Sequence, residues 1–481
     1  MDSFRLALVV PNFRWCETEA RFLWDFIPYN LCLLAAVIRD RCEIRIIDAY
    51  HTNMDRQAFA KAIEGFDPHM VGITVLMDQC APAGHMAAEI VKEVSGDIKV
   101  VIGGVYATVN PDLAIADGNV DYVVVGEGEY VLCDLVNYLR GRGPMPEKGI
   151  VFRENQRIIV TPRADFIKDL DALPLPAYDL IDLPGYITKA ERNSVDAPSL
   201  FPYARILTSR GCPYGCSFCQ VEIISGRRFR PRSAENILKE IMWLKEEYGI
   251  KALVFDDDNL FTDRKRAVAI LQGMIERGLA MPWKSIATAV FRLDAELLEL
   301  MKNSGCEYID VAIESGTERV LKDIIGKPVE LEHAKKIVAR AKECGIFVTA
   351  NFIIGFPTET WEEIRNTLHV AQEMDADYTK IFGAIPLRHT KLWSLCEESG
   401  AFKKDFSISQ MSWYAGQIET EEFSSEDLTI LRAYEWDRLN FSTVEKREKI
   451  KKMMHIDDNE LQRIRRETRK NVIRQMRGDN R

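Results

Sequence analysis

The sequence predicts an α/β protein: an amino-terminal doubly wound parallel sheet, a second array of strand–helix units, and a helical carboxyl-terminal region. Three observations predict it. Short β-branched runs alternate with helical patterns through the first 140 residues, the alternation resumes near residue 195, and breaker-rich sequence separates the two stretches. The 481 residues, 47% hydrophobic and 28% charged, have ordinary globular make-up, which excludes disordered, collagen-like and disulfide-miniprotein chains. Length as a prior allows about three domains.

Leu6–Val10, Glu43–Asp48, Met70–Val75, Ile98–Ile102 and Asp121–Val125 read as strands, with helices at Tyr29–Arg39, Arg56–Glu64 and Gly84–Val94 between them. Helices of that length imply right-handed βαβ units, whose ligands sit at the carboxyl ends of the strands near a topological switch point. Unusual residues collect at those ends. Thr74 lies near the end of the third strand, Gly103-Gly104-Val105-Tyr106 follows the fourth, and Gly126-Glu127-Gly128 follows the fifth. Two readings stand: glycines that admit a flat or phosphorylated ligand, or turns that merely reverse the chain.

Gly141–Pro146 is rich in breakers, Gly149–Thr161 reads as a small hairpin centred on Glu154-Asn155, and Leu173–Asp179 carries two prolines. The expected domains are therefore 1–140, a linker with its hairpin over 141–194, a second domain over 195–400, and a helical region over 401–481.

Eleven cysteines make an awkward, odd number for a secreted disulfide framework. Eight are scattered: Cys16, Cys32, Cys42, Cys80, Cys133, Cys306, Cys344 and Cys396. The other three, Cys212, Cys216 and Cys219, spell C-x3-C-x2-C just after the strand-like Ala204–Thr208. Three thiolates on one short loop can hold three irons of a cubane [4Fe-4S] cluster and leave the fourth iron open. An open coordination position is what catalysis at a metal needs. Structural zinc would want a fourth Cys or His at comparable spacing, and none lies nearby.

The run Ser209-Arg210-Gly211-Cys212-Pro213-Tyr214-Gly215-Cys216-Ser217-Phe218-Cys219 resembles the signature of radical S-adenosylmethionine (SAM) enzymes. The first 140 residues resemble the cobalamin-binding domain that precedes many of them, through Asp67–Thr74, Val101–Asp112 and Asp121–Glu129. That resemblance implies that Thr74, Gly103, Gly104, Tyr106, Gly126, Glu127 and Gly128 bind cobalamin. The loop Pro11–Cys16 lacks the D-x-H-x-x-G motif whose histidine ligates cobalt in cobalamin mutases, so no protein imidazole is expected on the metal. His51 follows the second strand instead.

Strands at Ala204–Thr208, Ala252–Phe255, Ser285–Ala289, Tyr308–Ile313, Phe347–Ile354 and Tyr378–Ile385 alternate with five helices between Ala234 and Met374. Under the resemblance these six units are the partial (β/α)6 barrel of the superfamily, with the active site at the strands' carboxyl ends. Asp256-Asp257-Asp258 is either a solvated turn capping the next helix or the group that meets SAM's amino nitrogen or the substrate. Arg292 also stands at a strand end. Glu314 and Ser315 match the family's G-x-E-S-G and imply contact with ribose and the methionine moiety. Gly355-Phe356-Pro357 matches the segment that packs on adenine, and Phe218 sits within the cysteine loop. Relatives often read Pro-x-Pro-Gly-Thr where this chain has Pro386-Leu387-Arg388-His389-Thr390. His389 is either a substrate-facing group or a surface histidine.

Sixty-three basic against 73 acidic residues give a formal charge of −10, which argues against wrapping a nucleic acid. Residues 441–481 reverse the balance, with 13 Lys and Arg against 7 Asp and Glu. That tail reads as a solvated helix on the acidic body or as a docking surface for a phosphorylated, lipid or nucleic-acid partner, and its few aromatics argue against single strands. No run of 18 apolar residues occurs, and the first residues lack signal-peptide features, so a cytoplasmic protein is expected, with peripheral membrane contact left open.

The resemblance implies a class B, cobalamin-dependent radical SAM methyltransferase. Its cofactors are a [4Fe-4S] cluster, SAM and cobalamin. SAM is cleaved reductively to a 5′-deoxyadenosyl radical and a methyl group is placed on an unactivated carbon or phosphorus. The substrate is a small or lipid-like molecule, and the electron donor a flavodoxin or ferredoxin. Alternatives are a cyclase, ring-contracting or rearranging enzyme with the same cofactors, or a non-catalytic corrinoid-binding protein.

Overall fold

The computed structural model describes residues 4–18, 26–155, 157–188, 195 and 197–477. The chain divides into two compact units: residues 1–189 with the short segments 223–225 and 407–410, and the remainder.

The first unit is built on seven strands in the order β2-β1-β3-β4-β5-β6-β7. They are β1 (Arg5–Val10), β2 (Glu43–Asp48), β3 (Met70–Thr74), β4 (Lys99–Gly103), β5 (Tyr122–Val124), β6 (Ile150–Glu154) and β7 (Arg157–Val160). The first five are parallel, and the order reverses at β1, which places a topological switch point between β1 and β3. Both faces of the sheet's centre are covered, so its inner strands β1, β3 and β4 are nearly continuous apolar runs. Ala7, Val9, Val71, Ile73 and Ile102 pack with Phe59, Ile63, Ala87 and Val91, whereas Leu6, Leu8, Met70 and Val101 pack with Leu31, Ala35, Leu132 and Val136.

The hairpin is not a free linker feature. β6 pairs antiparallel with β5, Val123 beside Val151, and β7 continues the sheet. The outer edge of β5 would otherwise present unpaired backbone groups. Asn155 takes φ +49 at the turn, where asparagine is tolerated.

The second unit carries a six-stranded, all-parallel sheet in the order β15-β14-β13-β12-β11-β8. Its strands are β8 (Tyr203–Ile206), β11 (Ala252–Phe255), β12 (Trp283–Thr288), β13 (Cys306–Glu314), β14 (Phe347–Ile354) and β15 (Tyr378–Gly383). A two-residue ladder, β9 (Ser209–Arg210) with β10 (Arg230–Pro231), stands at the entrance to the cysteine loop. Helices Ala234–Tyr248, Arg264–Glu276, Ala295–Asn303, Leu331–Glu343 and Trp361–Glu373 connect the six strands. Sequential order is what βαβ units wound in one direction produce, as in barrels. Among the described residues no pairing joins β8 to β15.

The carboxyl-terminal helices Ser425–Phe441, Val444–Met454 and Asp458–Arg477 belong to this unit. Trp436, Phe441, Ile450, Met454 and Leu461 form one core with Tyr308 and Phe347 from the sheet, and Trp436 Nε1 donates to Tyr378 Oη at 2.8 Å. The basic residues of the tail are largely paired at home: Arg465 with Asp437 at 2.6 Å, Lys451 with Asp458 at 2.8 Å, and Lys449 with Asp377. The tail helices pack onto the sheet, as the first of the two readings of the tail expects. Trp436→Ala is expected to lower stability by about 3–5 kcal/mol, the usual cost of truncating a buried aromatic, and thermal unfolding of the purified protein checks it.

No helix among the described residues is long and apolar enough to cross a membrane.

Candidate active site

The cysteine loop is fixed by backbone hydrogen bonds on both sides. Cys212 N donates to Gly226 O at 3.2 Å, Ser217 N to Ile325 O at 2.9 Å, and Leu392 N to Ser217 O at 2.9 Å. Gln220 Nε2 donates to Arg388 O at 3.0 Å. The loop is thus tied to the segments that follow β13 and β15. All three cysteines are partly exposed. Burial pushes their thiols up, Cys219 to about 12, while the Lys327 ammonium pulls Cys212 and Cys216 back. Iron binding must therefore displace protons to form thiolates. No three His, Cys, Asp or Glu side chains among the described residues converge as ligands of one ion. A cubane does not require that convergence, because each thiolate has its own iron.

Glu314 ends β13 beside a break in register between Ala312 and Glu314, and takes φ +76, a left-handed conformation for a non-glycine residue. Such strain costs of order 1–3 kcal/mol and collects at functional sites, as do bulges that re-aim a side chain. Its carboxylate meets Lys327 Nζ at 2.7 Å, both side chains being 8% exposed, and Lys327 also donates to Ala312 O at 3.0 Å. Lys327 follows a π-helical turn, Val320–Ile325. Sequence reading missed it, although a lone lysine after the apolar Ile324-Ile325-Gly326 was a usable signal.

The three aspartates after β11 part ways. Asp256 pairs with Arg205. Asp257 is buried and accepts from Thr208 Oγ1 at 2.7 Å and from the Ser209 hydroxyl, so it organises the β8 end rather than facing a ligand. Asp258 is the exposed one of the three. Loss of solvation and then the charge of Asp257 raise its carboxyl to about 6. Arg292 is exposed, and its guanidinium donates to the Tyr214 hydroxyl of the cysteine loop.

Ser315 is fully buried, its Oγ 3.1 Å from Thr367 Oγ1, and it accepts from Thr317 N in the turn after β13. Phe356 is fully buried and its ring lies 6.4 Å from that of the partly exposed Phe218. Gly355 takes φ +87 beneath Leu428. His389 is exposed in the left-handed region, φ +64, at the position where relatives carry glycine.

Glu359, also unread from sequence, is 1% exposed and accepts from Gly355 N at 2.7 Å and Phe356 N at 3.1 Å through one oxygen. Burial raises its carboxyl from the ordinary 4.5 to about 7. The folded protein therefore binds the extra proton between those values. Stability is expected to fall as pH rises through that window, by up to roughly 1.4 kcal/mol per pH unit. Denaturant titrations of the protein and of Glu359→Gln between pH 4.5 and 7 check this, the variant losing that part of the slope.

In the first unit, Thr74 Oγ1 accepts from Asn30 Nδ2 at 2.9 Å, Glu127 accepts from Ile167 N at 2.6 Å, and Gly126 N donates to Thr108 Oγ1 at 3.0 Å. Tyr106 is turned into the core, with its hydroxyl 3.1 Å from His85 Nε2. Gly104 takes φ +95, and a Cβ there would stand 2.7 Å from Val75 O. At Gly103 an added Cβ meets nothing nearer than Val124 at 4.0 Å, and at Gly128 nothing nearer than Leu34 at 3.5 Å. The three histidines of this unit are engaged elsewhere: His51 stacks on Tyr186 at 3.7 Å, His69 accepts from Arg5 N at 3.0 Å, and His85 meets Asp117 at 2.8 Å.

The family model described as the radical SAM superfamily matches residues 206–371, and that of the B12 binding domain matches residues 20–136. An uncharacterised methyltransferase of Pyrococcus horikoshii is 34% identical over 368 residues, 76% of this chain and 77% of that protein. This chain belongs to the radical SAM superfamily, in its B12-binding branch. The enzyme is also 30% identical over 388 residues to the cytidylyl-2-hydroxyethylphosphonate methyltransferase of Streptomyces wedmorensis, covering 74% of this chain and 72% of that one. Among solved structures, the radical SAM methyltransferase TsrM of Kitasatospora setae, with cobalamin and a [4Fe-4S] cluster bound, superposes with a TM-score of 0.66 at 20% identity. That match covers 84% of this chain and 76% of TsrM, and it is a likeness of fold. The enzyme's cofactors are SAM, a [4Fe-4S] cluster and cobalamin.

The residues present fit these groups. Three thiols on one loop, without a fourth, suit a cubane with one open iron. The carboxyl ends of β3 and β4 and the turn after β5 carry small residues, Thr74, Gly103 and Gly126, of the kind a large flat corrinoid needs beside it.

Proposed function

We propose that the enzyme is a cobalamin-dependent methyltransferase that places a methyl group on an unactivated carbon or phosphorus of a small molecule. The observation that carries this is the three-thiol loop, tied to the segments following β13 and β15 beside the strained Glu314 and its Lys327 partner. The methyltransferases that share most of the chain at 30% identity or more favour methyl transfer over other outcomes. When bound, the cluster and SAM supply a hydrogen-abstracting radical and cobalamin supplies the methyl group.

The chain's own residues bind and orient. Cys212, Cys216 and Cys219 hold the cluster. Arg292 and Asp258, both exposed, take the carboxylate and amino groups of SAM, with Tyr214 fixing the Arg292 guanidinium. Lys327 holds the Glu314 carboxylate in place for the ribose hydroxyls. The backbone at Gly355-Phe356 offers the adenine a flat, dry wall. In the first unit no histidine stands in the Pro11–Cys16 loop, so that loop would offer cobalt no imidazole. A flavodoxin or ferredoxin is the electron donor in this reading.

Anaerobically reconstituted enzyme with methyl-labelled SAM tests it. Label in the product, with 5′-deoxyadenosine released, is the expected result. An altered but unlabelled product would mean cyclisation or rearrangement, and absence of SAM cleavage would leave a non-catalytic corrinoid protein.

A further inference from the structure

The loop that carries the three thiols is held by backbone hydrogen bonds to three segments, at Gly226, Ile325 and Leu392. Residues 226–228, 325–328 and 388–392 contain five Lys or Arg and no Asp or Glu, in a chain whose formal charge is −10. That excess of one sign is local. The nearest acidic residues in sequence, Glu222, Asp323 and Glu330, are exposed, and Glu222 meets the Arg227 guanidinium only at 3.9 Å.

At one point the protein is thin over this loop. Gly215 directly precedes Cys216 and is partly exposed. A Cβ on Gly215 would stand 2.7 Å from the Arg227 guanidinium, and one on the exposed Gly326 would stand 3.7 Å from the Gly215 carbonyl oxygen. Arg227 and the Gly326 backbone therefore lie directly against the loop, and neither glycine interposes a side chain. Arg227 and Arg228 are both exposed, and the Arg228 side chain has no hydrogen bond or ion pair among the described residues.

Electron transfer weakens steeply with distance, so a protein carrier must approach a metal cluster where the least protein intervenes. Redox encounters bury little surface and are steered by charge of opposite sign. We propose that the face at Gly215, with Arg227 and Arg228 beside it, is where an acidic, low-potential electron carrier docks to reduce the cluster. The carrier loses one electron and the cluster gains it; no bond forms or breaks in this step. A nucleic acid, the other anionic macromolecule such a face could attract, is disfavoured by the acidic balance of the chain as a whole. The proposal rests on reading the three-thiol loop as the seat of a redox-active cluster.

Stopped-flow reduction of the full-length, cluster-reconstituted protein tests it, read as bleaching of the iron–sulfur absorbance without SAM or substrate. The probes are a purified reduced flavodoxin and a purified reduced ferredoxin, and titanium(III) citrate serves as a reductant that needs no docking face. At least one carrier is expected to reduce the wild-type cluster, about tenfold more slowly at high salt than at low salt. Arg227→Glu combined with Arg228→Glu is expected to lower the low-salt rate by roughly tenfold and to flatten its salt dependence. Titanium(III) citrate should reduce both proteins at the same rate. Arg228→Glu alone, whose native side chain is unpaired, is expected to slow the carrier by about threefold, and it decides the matter if the double variant loses iron. Carrier rates that match between wild type and variants would overturn the docking face, as would reduction by titanium(III) citrate but by neither carrier. An RNA oligonucleotide that binds through the same arginines, with carrier reduction unchanged by their reversal, would overturn it too. Failure of titanium(III) citrate itself would overturn the cluster reading, and the proposal with it.

Discussion

Replacing any one of Cys212, Cys216 or Cys219 with Ala is expected to abolish the iron–sulfur chromophore and SAM cleavage together, the largest effect any single substitution here produces. Each thiolate holds its own iron, so the loss of one leaves an iron without its protein ligand. The eight remaining cysteines behave differently. Cys32, Cys42, Cys80, Cys133, Cys306 and Cys396 are buried, and desolvation raises their thiols, Cys80 and Cys396 to about 12, as expected of inert core residues. Changing one of them to Ala should cost some stability and leave iron content intact. Iron analysis and visible spectra of the eleven Ala variants separate the two groups. A triplet variant with a full cluster and normal cleavage would refute the assignment.

Gly104→Val is the second large effect, and its cause is steric within the protein itself. The residue adopts φ +95, which a β-branched side chain rarely adopts, and its Cβ would meet the Val75 carbonyl oxygen at 2.7 Å. The expected outcome is misfolding of the first unit, with loss of soluble protein and cobalamin uptake together, on the scale of 4 kcal/mol or more by order of magnitude. At this position the turn-forming reading of the glycine is therefore the one the geometry favours. Gly103→Ala is the informative partner, because the added methyl meets only Val124 at 4.0 Å. It should fold with an unchanged melting temperature, and if the β4 end lines cobalamin it should lower cobalamin affinity. Spectrophotometric titration with hydroxocobalamin measures that directly. A stable Gly104→Val protein would contradict the first expectation, and undiminished binding by Gly103→Ala would move cobalamin away from this strand end.

How far the sequence was legible depended on whether a feature was local. The parallel strands were readable because most are short apolar runs with helical patterns between them, and all five expected in the first unit are present to within two residues at each end. The three-cysteine loop was readable because its ligands lie within eight consecutive residues. Pairings between distant residues were not. The hairpin at 150–160 was visible as a hairpin, but its attachment to β5 is an edge pairing with no local signature. Three identical aspartates gave no hint that Asp256 would pair with Arg205, Asp257 would bury itself against Thr208, and only Asp258 would face outward. Glu314 matched a motif, yet its partner Lys327 lies 13 residues on, behind a π-helical turn. Tyr106, Glu127 and Ser315 were expected at a ligand, and each also engages a residue of the fold: His85, Ile167 and Thr367. Their side chains satisfy neighbours whose proximity only the fold creates.

The central claim is that one chain carries both a catalytic iron–sulfur cluster and cobalamin. Metal analysis of protein purified anaerobically, with iron, cobalt and zinc quantified on the same sample after reconstitution, tests it most directly. The account predicts about four irons and about one cobalt per chain, with negligible zinc, and release of 5′-deoxyadenosine from SAM on reduction. Zinc in place of iron, or a full complement of iron with no cobalt under conditions of excess hydroxocobalamin, would contradict it.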